Sequence, residues 1–289
     1  MRKIIIFTDS CCDLPISFVE QNNIQVMHLR VNIKGKDIPD DLGVSISHKN
    51  FYNLIREGEM PTTSQANVSN FEESFRKFVK EGYSIIYIGF SSALSGCVNS
   101  ARLAKEVVVE EIKDADITII DSKSASMGLG LIVYYATNML DEGKNKEEII
   151  SWIEENKLKI NHWFTVDDLN HLKRGGRVSS TVAIVGTMLS IKPVMHVDNE
   201  GRLIPISKVK GRKKSIKALQ EKLKERIVNP EQQVVFISHG DCLEDAKHLR
   251  ALILEEVNVK DVIINNVGPA VGSHSGPGTV ALFFIGNDR

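Results

Sequence analysis

Residues 84–92 read SIIYIGFSS, a continuous apolar run that ends in a pair of serines. A second run at residues 117–120 is also apolar, without strict alternation of apolar and polar side chains. Such runs are typical of strands in a parallel sheet that helices cover on both faces. Similar short runs alternate with longer helical patterns through the first half of the chain. The sequence therefore predicts an α/β layer domain around a parallel sheet.

The pattern changes near residues 156–162, where isolated strand-like segments replace this alternation. Residues 191–209, IKPVMHVDNEGRLIPISKV, predict a β-hairpin that turns at DNEG. A chain of 289 residues is also longer than most single domains. We therefore predict a Rossmann-like α/β/α domain with a parallel sheet over residues 1–158, and an α+β domain with a partly antiparallel sheet over residues 159–289. A ligand site is expected at the interface between them.

The composition is that of an ordinary globular protein. The formal net charge of -1, with 42% hydrophobic and 25% charged residues, favours no nucleic-acid partner. A basic run, SKVKGRKKSIK, is more typical of a solvated helix face than of a phosphate contact. The four cysteines lack C-x-x-C spacing, the first apolar run is too short for a signal peptide, and no segment suits a bilayer. We therefore expect a cytoplasmic protein with reduced thiols.

Common catalytic signatures are missing from the sequence. It contains no phosphate-binding G-x-x-x-x-G-K-[ST] loop, no H-E-x-x-H and no Gly-x-Gly-x-x-Gly after a strand. The stretch GFSSA lacks the second glycine of a nucleophile elbow, so Ser91 and Ser92 are expected to cap a helix. Asp9 and Asp13 flank a turn with no third ligand nearby, which favours capping over metal binding. We expect neither a metal nor a cofactor.

Two stretches are richer in polar or constrained residues than ordinary loops. MPTTSQANVS, at residues 60–69, holds four hydroxyls and two side-chain amides. One hydroxyl is enough to cap the helix expected near Val68, which leaves the others without a structural task. VGSHSGPGTV, at residues 271–280, contains three glycines and a proline and is expected to be a loop. Its His274 is a candidate hydrogen-bond donor, base or structural residue.

Three further positions lie beside predicted helix starts. Arg177 follows the Gly-Gly pair of KRGGRVSS, where it could face an anion. DSKSASMGLG follows a strand, and Ser122 or Ser124 is expected to cap the next helix. Ser95 and Gly96 stand at another helix start, where small residues let a ligand approach the free N–H groups.

These motifs together resemble one family. DegV family proteins carry, in the same order and with similar spacing, counterparts of TDSCCDLP, PTTSQ, SSALSG, DSKSASMGLG, LKRGGRV, IKPVMHVDNEGRL and GSHSGPGT. Each motif is weak alone, whereas the ordered set covers the chain from end to end. The chain departs from the family pattern at Cys97, where threonine is common, and at Gly211, which interrupts a basic run.

The resemblance implies a two-domain protein that binds a long-chain fatty acid in a buried tunnel between its domains. It further implies that the protein presents the carboxylate to a separate ATP-dependent fatty acid kinase subunit, which phosphorylates it to an acyl phosphate. The protein itself would then be a lipid-binding subunit and not an enzyme, with transient membrane contact for lipid exchange. The missing nucleotide motifs agree with that division of labour.

The resemblance also implies the site residues. By their match to family motifs, Thr63, Ser95 and His274 would donate hydrogen bonds to the carboxylate. Arg177 and Arg212 match basic positions near the head group and would contact the kinase subunit or the transferred phosphoryl group. Hydroxyl donors hold a carboxylate without a full ion pair, which leaves an oxygen able to attack phosphorus. The candidates for the tunnel wall are Ile88, Phe90, Met127, Leu129, Val185, Met188 and Leu189.

Two alternatives remain open from the sequence. The first is a small-molecule hydrolase that uses Ser95 or Ser92 with His274, which would need an acid to orient the histidine. The second is a lipid storage or sensing protein that has no kinase partner. The acid beside the histidine is a structural question, whereas the partner is a biochemical one.

Overall fold

The computed structural model describes residues 2–178 and 190–289. The strands β1–β13 of these residues are, in chain order, Lys3–Asp9, Gln25–Met27, Arg30–Ile33, Lys36–Pro39, Thr62–Ser64, Tyr83–Gly89, Ile117–Asp121, Ile160–Thr165, Ile191–Val197, Leu203–Lys210, Val234–His239, Asp261–Asn266 and Val280–Ile285. The helices α1–α10 are Ile16–Gln21, His48–Arg56, Val68–Lys80, Cys97–Glu111, Met127–Asp141, Lys146–Asn156, Asn170–Arg174, Arg212–Arg226, Leu243–Glu256 and Pro269–Ser275. None of these helices has both the length and the apolar character needed to cross a membrane.

A sheet of four parallel strands occupies the first half, in the order β2-β1-β6-β7. Its central strand β6 is buried, and Ile85, Ile86 and Ile88 have no solvent-accessible surface. Helices α3, α4 and α5 pack against the sheet. The run SIIYIGFSS is continuously apolar because β6 meets no water on either face. The predicted parallel α/β architecture is confirmed.

A sheet of six strands occupies the second half, in the order β10-β9-β8-β13-β11-β12. Neighbouring strands are antiparallel except β11 and β12, which are parallel. The β9–β10 hairpin turns through residues 198–201, where the Asp198 N–H donates to the Arg202 carbonyl at 2.9 Å. Gly201 completes the turn with a φ of 81°, which L side chains rarely adopt. The predicted hairpin and partly antiparallel sheet are confirmed.

A third, small antiparallel sheet has the order β4-β3-β5 and was not predicted. The run IQVMHLRVNI contains both β2 and β3, which belong to different sheets, and PTTS contributes β5. The N-cap of α3 is Asn67, whose side chain accepts from the Asn70 N–H at 2.9 Å. The expectation that a hydroxyl caps this helix is therefore wrong, since an amide does so.

The helix caps predicted around Asp9 and at the start of α5 were not all found. Asp9 accepts a hydrogen bond from the Cys11 N–H at 3.2 Å and caps a short 3-10 turn, so the capping prediction is confirmed for Asp9. It is wrong for Asp13, because α1 has no side-chain cap and the Asp13 carboxyl accepts the Gly268 N–H instead. Helix α5 begins after Ser126, which has a φ of 51° and makes no side-chain cap. The prediction that Ser122 or Ser124 caps α5 is wrong, because the chain runs on through both before the helix starts.

One continuous apolar core runs through both halves of the chain. It includes Phe7 and Ile86 of the parallel sheet and Phe164, Phe236 and Phe283 of the six-stranded sheet. A second cluster lies on the opposite face of the six-stranded sheet, where α8 and α9 cover it. The six-stranded sheet thus turns one apolar face toward the first half. The domain division at residues 158 and 159 stays a prediction.

Candidate functional site

A cavity of about 360 Å³ lies between the parallel sheet and the inner face of the six-stranded sheet. On the first side, its lining residues follow β1, β6 and β7: Cys11, Phe90, Leu94, Ser95, Gly96, Ala125 and Ser126. All three strands end there with their carboxyl ends, the edge at which open parallel sheets bind ligands. The volume is within the range of small-molecule pockets.

The floor of the cavity is one face of the six-stranded sheet. Phe164 stands opposite Ala281, which in turn stands opposite Ser238. Phe283 and His162 form the next pair on the same face. All five residues line the cavity and are buried. The floor is therefore enclosed and mainly apolar, which suits a hydrocarbon segment of a ligand.

The opposite end of the cavity is polar and more exposed. Thr63, Ser95, His274 and Arg177 all line it, although they come from four separate segments. Each of the four is half-buried, and neighbouring Gln65 is exposed. Among the lining residues in the described part of the chain, Arg177 is the only lysine or arginine, and none is an aspartate or glutamate. This end therefore favours an anion, and it is also the end that a second molecule can reach.

Thr63 and His274 are hydrogen-bonded to each other across this end. Thr63 Oγ1 and His274 Nε2 are 2.8 Å apart. Burial and the neighbouring Arg177 lower the pKa of His274 to about 4, so the ring is neutral at neutral pH. Gly175 leaves room for the ring, because a Cβ there would lie 2.1 Å from Nδ1. The pair therefore offers neutral donors and not a second cation.

His274 lies in the last turn of the short helix α10, and the prediction that it lies in a loop is wrong. The helix begins with Pro269 at its first position, where a missing N–H costs nothing. It ends at Gly276, whose φ of 78° an L side chain would resist. The stretch VGSHSGPGTV therefore contains most of a short helix that begins two residues earlier, at Pro269, and Gly276 is the residue that ends it.

The geometry required for a serine hydrolase is absent from the described residues. His274 Nδ1 is buried without a hydrogen-bond partner among them, so no acid orients the ring. Ser92 donates its N–H to Asp121 at 3.2 Å and does not line the cavity. The predicted capping role of Ser91 and Ser92 is wrong as well, because Gly96 is the N-cap of α4.

Ser95 lies just before helix α4, as its sequence context indicates. Its Oγ accepts a bond from the Cys97 N–H and donates to Cys97 Sγ, both at 3.4 Å. The contact with the Cys97 N–H is long and a thiol sulfur is a weak acceptor, so the hydroxyl is available for a better partner. A Cβ at Gly96 would lie 2.1 Å from Gln65 Oε1, so a larger residue there would displace the Gln65 side chain.

The sequence did not single out several polar residues of the cavity, among them Gln65 and Ser275. Gln65 lines it and anchors its Nε2 on Ser100 Oγ at 2.8 Å. Ser275 lines it too, and its buried Oγ has no hydrogen-bond partner within residues 2–178 and 190–289. Both stand inside quoted motifs. Only the helical geometry of α10 shows that Ser275 shares the cavity wall with Val271, one turn earlier.

The two arginines have different surroundings. Arg177 donates from Nε to the Leu94 carbonyl at 3.2 Å and lines the cavity. Arg212 is not among the lining residues; its Nε lies 2.8 Å from Asp245 Oδ2, and its Nη1 lies 3.6 Å from Asp167 Oδ1. The structure therefore brings four of the five predicted site residues together and leaves Arg212 in an ion-pair network.

The predicted wall residues have three outcomes. Phe90 lines the cavity. Three others are completely buried in the core and do not line it: Ile88, Met127 and Leu129. The last three lie outside the described residues: Val185, Met188 and Leu189. Strands of the six-stranded sheet, whose pairing the sequence does not encode locally, contribute five apolar wall residues: Phe164, Val197, Leu203, Ala281 and Phe283.

Comparison with known proteins gives one consistent result. A family model described as an uncharacterised protein of the DegV family matches residues 3–287. A DegV domain-containing protein of Clostridium perfringens is 50% identical over 289 residues, which is 100% of this chain and 99% of that protein. A DegV domain-containing protein of Caldanaerobacter subterraneus is 36% identical over 98% of this chain and 99% of its own length.

Solved structures of the same fold have been described as lipid-binding. A DegV lipid-binding protein from Thermotoga maritima has a TM-score of 0.87 at 33% identity, with 99% of both chains covered. A DegV family protein from Thermus thermophilus, described for its fatty acid binding, has a TM-score of 0.89 at 29% identity and covers 99% and 100% of the two chains. Bacillus subtilis DegV, a fatty acid binding protein, has a TM-score of 0.86 at 29% identity, with the same coverage.

Proposed function

The chain belongs to the DegV family, and from that premise we propose that it binds a long-chain fatty acid in the cavity. The observation that carries the proposal is the polarity of the cavity. Its floor is apolar and buried, and its open end holds hydroxyls, a neutral imidazole and an arginine without any carboxylate. An apolar tail with one terminal anion matches both ends.

The carboxylate is held directly by Thr63 and Ser95, and by His274 through its hydrogen bond to Thr63. If His274 Nε2 carries the proton, it donates to Thr63, and the threonine O–H is free for the ligand. The hydroxyl of Ser95 is the second donor, because its present acceptor is a thiol sulfur, which accepts hydrogen bonds only weakly. Hydrogen bonds from neutral donors to a carboxylate are strong where water is excluded, yet they leave negative charge on its oxygens.

The hydrocarbon tail supplies most of the affinity. About fourteen methylenes at ~0.8 kcal/mol each give an upper bound near ~11 kcal/mol. Association can cost a similar amount, so a tail left in water would bind poorly. The buried floor around Phe164 and Phe283 accounts for this requirement. Binding therefore needs the tail inside and the carboxylate at the open end.

This orientation supports a second part of the proposal, that the protein presents the carboxylate to a separate ATP-dependent kinase subunit. The head-group end is the exposed end, where Gln65 reaches solvent. Arg177 lies there as the available cation, and a guanidinium suits the phosphoryl oxygens of an acyl phosphate as it forms. Arg212 remains a proposed partner contact, acting from its ion pairs with Asp245 and Asp167.

Native mass spectrometry of the purified protein, followed by denaturation, tests the binding proposal. We expect one released long-chain fatty acid per chain, strongly depleted in the Thr63→Val variant. Thr62→Val is the matched control, because Thr62 is exposed on the same strand and does not line the cavity. An empty protein that also fails to take up added palmitate would contradict the proposal.

A further inference from the structure

Helix α10, Pro269–Ser275, is held by the small sheet β4-β3-β5 at two points. At one end, Asp40, the residue after β4, accepts a hydrogen bond from the Ala270 N–H at 2.9 Å. At the other end, Thr63 of β5 bonds to His274 at 2.8 Å. Ala270 and His274 are four residues apart, so they lie one above the other on the same face of the helix.

The first turn of α10 has no cap of its own. Its N-cap residue is Gly268, which has no side chain to accept a backbone N–H. Asp13 accepts the Gly268 N–H at 2.9 Å, and Asp40 accepts the next free N–H, that of Ala270. Tyr52 donates to the Val267 carbonyl at 2.9 Å just before the helix. Groups from the first half of the chain thus replace the missing cap.

The backbone approaches these groups closely. A Cβ at Gly268 would lie 2.9 Å from Asp13 Oδ1 and 3.3 Å from both oxygens of Asp40. A Cβ at Gly272 would lie 2.5 Å from the Tyr52 hydroxyl. A helix of two turns has little stability of its own, so its place is set by such contacts. Movement at the Ala270 end therefore displaces His274 at the other.

We infer that Asp40, with Asp13, is a positioning residue of the proposed head-group site, because it fixes through α10 where His274 stands opposite Thr63. The inference rests on the proposed function only for its effect on ligand binding. The effect on the Thr63–His274 hydrogen bond can be measured in the protein without lipid and does not depend on the proposed function. Asp40 lies outside the cavity lining and acts on the ligand through α10, above all through the placement of His274.

The direct test is NMR of the protein with isotope-labelled histidine. Spectra of the His274→Ala and Thr63→Val variants assign the His274 ring resonances and show them without the hydrogen bond. We expect Asp40→Ala to move these resonances toward the Thr63→Val positions, and Asp40→Asn to restore them, since an amide oxygen can still accept the Ala270 N–H. Asp37→Ala, an exposed carboxylate in the neighbouring β4, is the control and should change nothing.

Palmitate affinity gives the second readout. Asp40→Ala should weaken binding about ten-fold, the effect of one misplaced hydrogen bond. The double variant with His274→Ala should bind no worse than His274→Ala alone, since both act at one contact. Palmityl alcohol, which lacks the carboxylate, should bind equally well to the wild type and to Asp40→Ala.

Three results would overturn the inference. The first is an Asp40→Ala protein with unchanged His274 resonances. The second is an Asp40→Ala, His274→Ala double variant in which the two losses of palmitate affinity multiply. If Asp40→Ala does not fold, Gly268→Ala replaces it, because the new Cβ crowds Asp13 and Asp40 without removing either carboxyl group. Unchanged His274 resonances in Gly268→Ala would then be the third result. A wild type that binds no palmitate would refute the proposed function, while the NMR comparison would still decide the inference.

Discussion

Thr63 Oγ1 lies 2.8 Å from Nε2 of His274, although 211 residues separate them in the chain. One residue comes from a three-residue strand and the other from the last turn of a short helix. The proposed head-group site is therefore assembled from both halves of the protein.

Removing the head-group hydroxyls should weaken fatty acid binding without unfolding the protein. Thr63→Val and Ser95→Ala each remove a donor to a carboxylate, and such bonds contribute roughly 1.5–3 kcal/mol. We expect palmitate affinity to fall about ten-fold or more in each variant, as measured by calorimetry. Palmityl alcohol is the control ligand. An equal loss of affinity for it would show that the hydroxyls shape the cavity and do not recognise the carboxylate.

Gly175→Ala should disturb the site although Gly175 carries no functional group. Its Cβ would lie 2.1 Å from His274 Nδ1, and the backbone φ of -70° is acceptable to alanine, so the clash is the only cost. We expect palmitate binding to fall to the level of His274→Ala, with the thermal midpoint lowered by only a few degrees. Lys173→Ala, an exposed residue of the same helix, is the control. Unchanged palmitate binding in Gly175→Ala would contradict the predicted displacement of the ring.

Asp40 should make the folded state less stable as pH rises. Burial raises the pKa of Asp40 from 3.8 to about 7. Its contribution is therefore complete below about pH 4 and is lost as pH rises through about 7. We expect Asp40→Asn to gain stability relative to the wild type across this window, by on the order of 4 kcal/mol at most.

Urea unfolding at several pH values measures the difference between Asp40→Asn and the wild type. The difference between the two proteins is used because the contribution of His274 to stability changes with pH in the opposite direction. The pKa of His274 is lowered to about 4, so its contribution is present above about pH 6.5 and is lost as pH falls toward 4. A constant difference between the two proteins from pH 4 to 8 would show that Asp40 does not titrate in this range.

Replacing Arg177 and replacing Arg212 should have different effects on phosphorylation and on stability. Arg177→Ala removes the cation of the cavity, so we expect acyl-phosphate formation with a kinase subunit to fall strongly while palmitate remains bound. Arg212→Ala breaks ion pairs with Asp245 and Asp167, so we expect a modest loss of stability together with weaker kinase coupling. The measurements are phosphorylation of bound palmitate and its dissociation constant, side by side. Equal losses of binding and phosphorylation would contradict the separation.

The sequence alone determined the layered architecture and pointed to four of the residues that line the cavity. Strands in a buried parallel sheet are continuous apolar runs because both of their faces avoid water. The run SIIYIGFSS therefore predicts such a strand without any knowledge of the strands that pair with it. The hairpin at residues 198–201 was equally local, since a turn depends on its own few residues. Thr63, Ser95, His274 and Arg177 were recognised from ordered motifs, and all four line one cavity.

Only the tertiary structure decided how these residues meet. A three-residue strand such as β5 has no pattern of its own, and it exists because β3 pairs with it. The cavity floor at Phe164, Ala281 and Phe283 depends on strand neighbours that are far apart in sequence. The support of α10 by Asp13 and Asp40 joins residues more than two hundred positions apart. Local patterns record the environment of a residue, whereas contacts between distant segments exist only once the chain has folded.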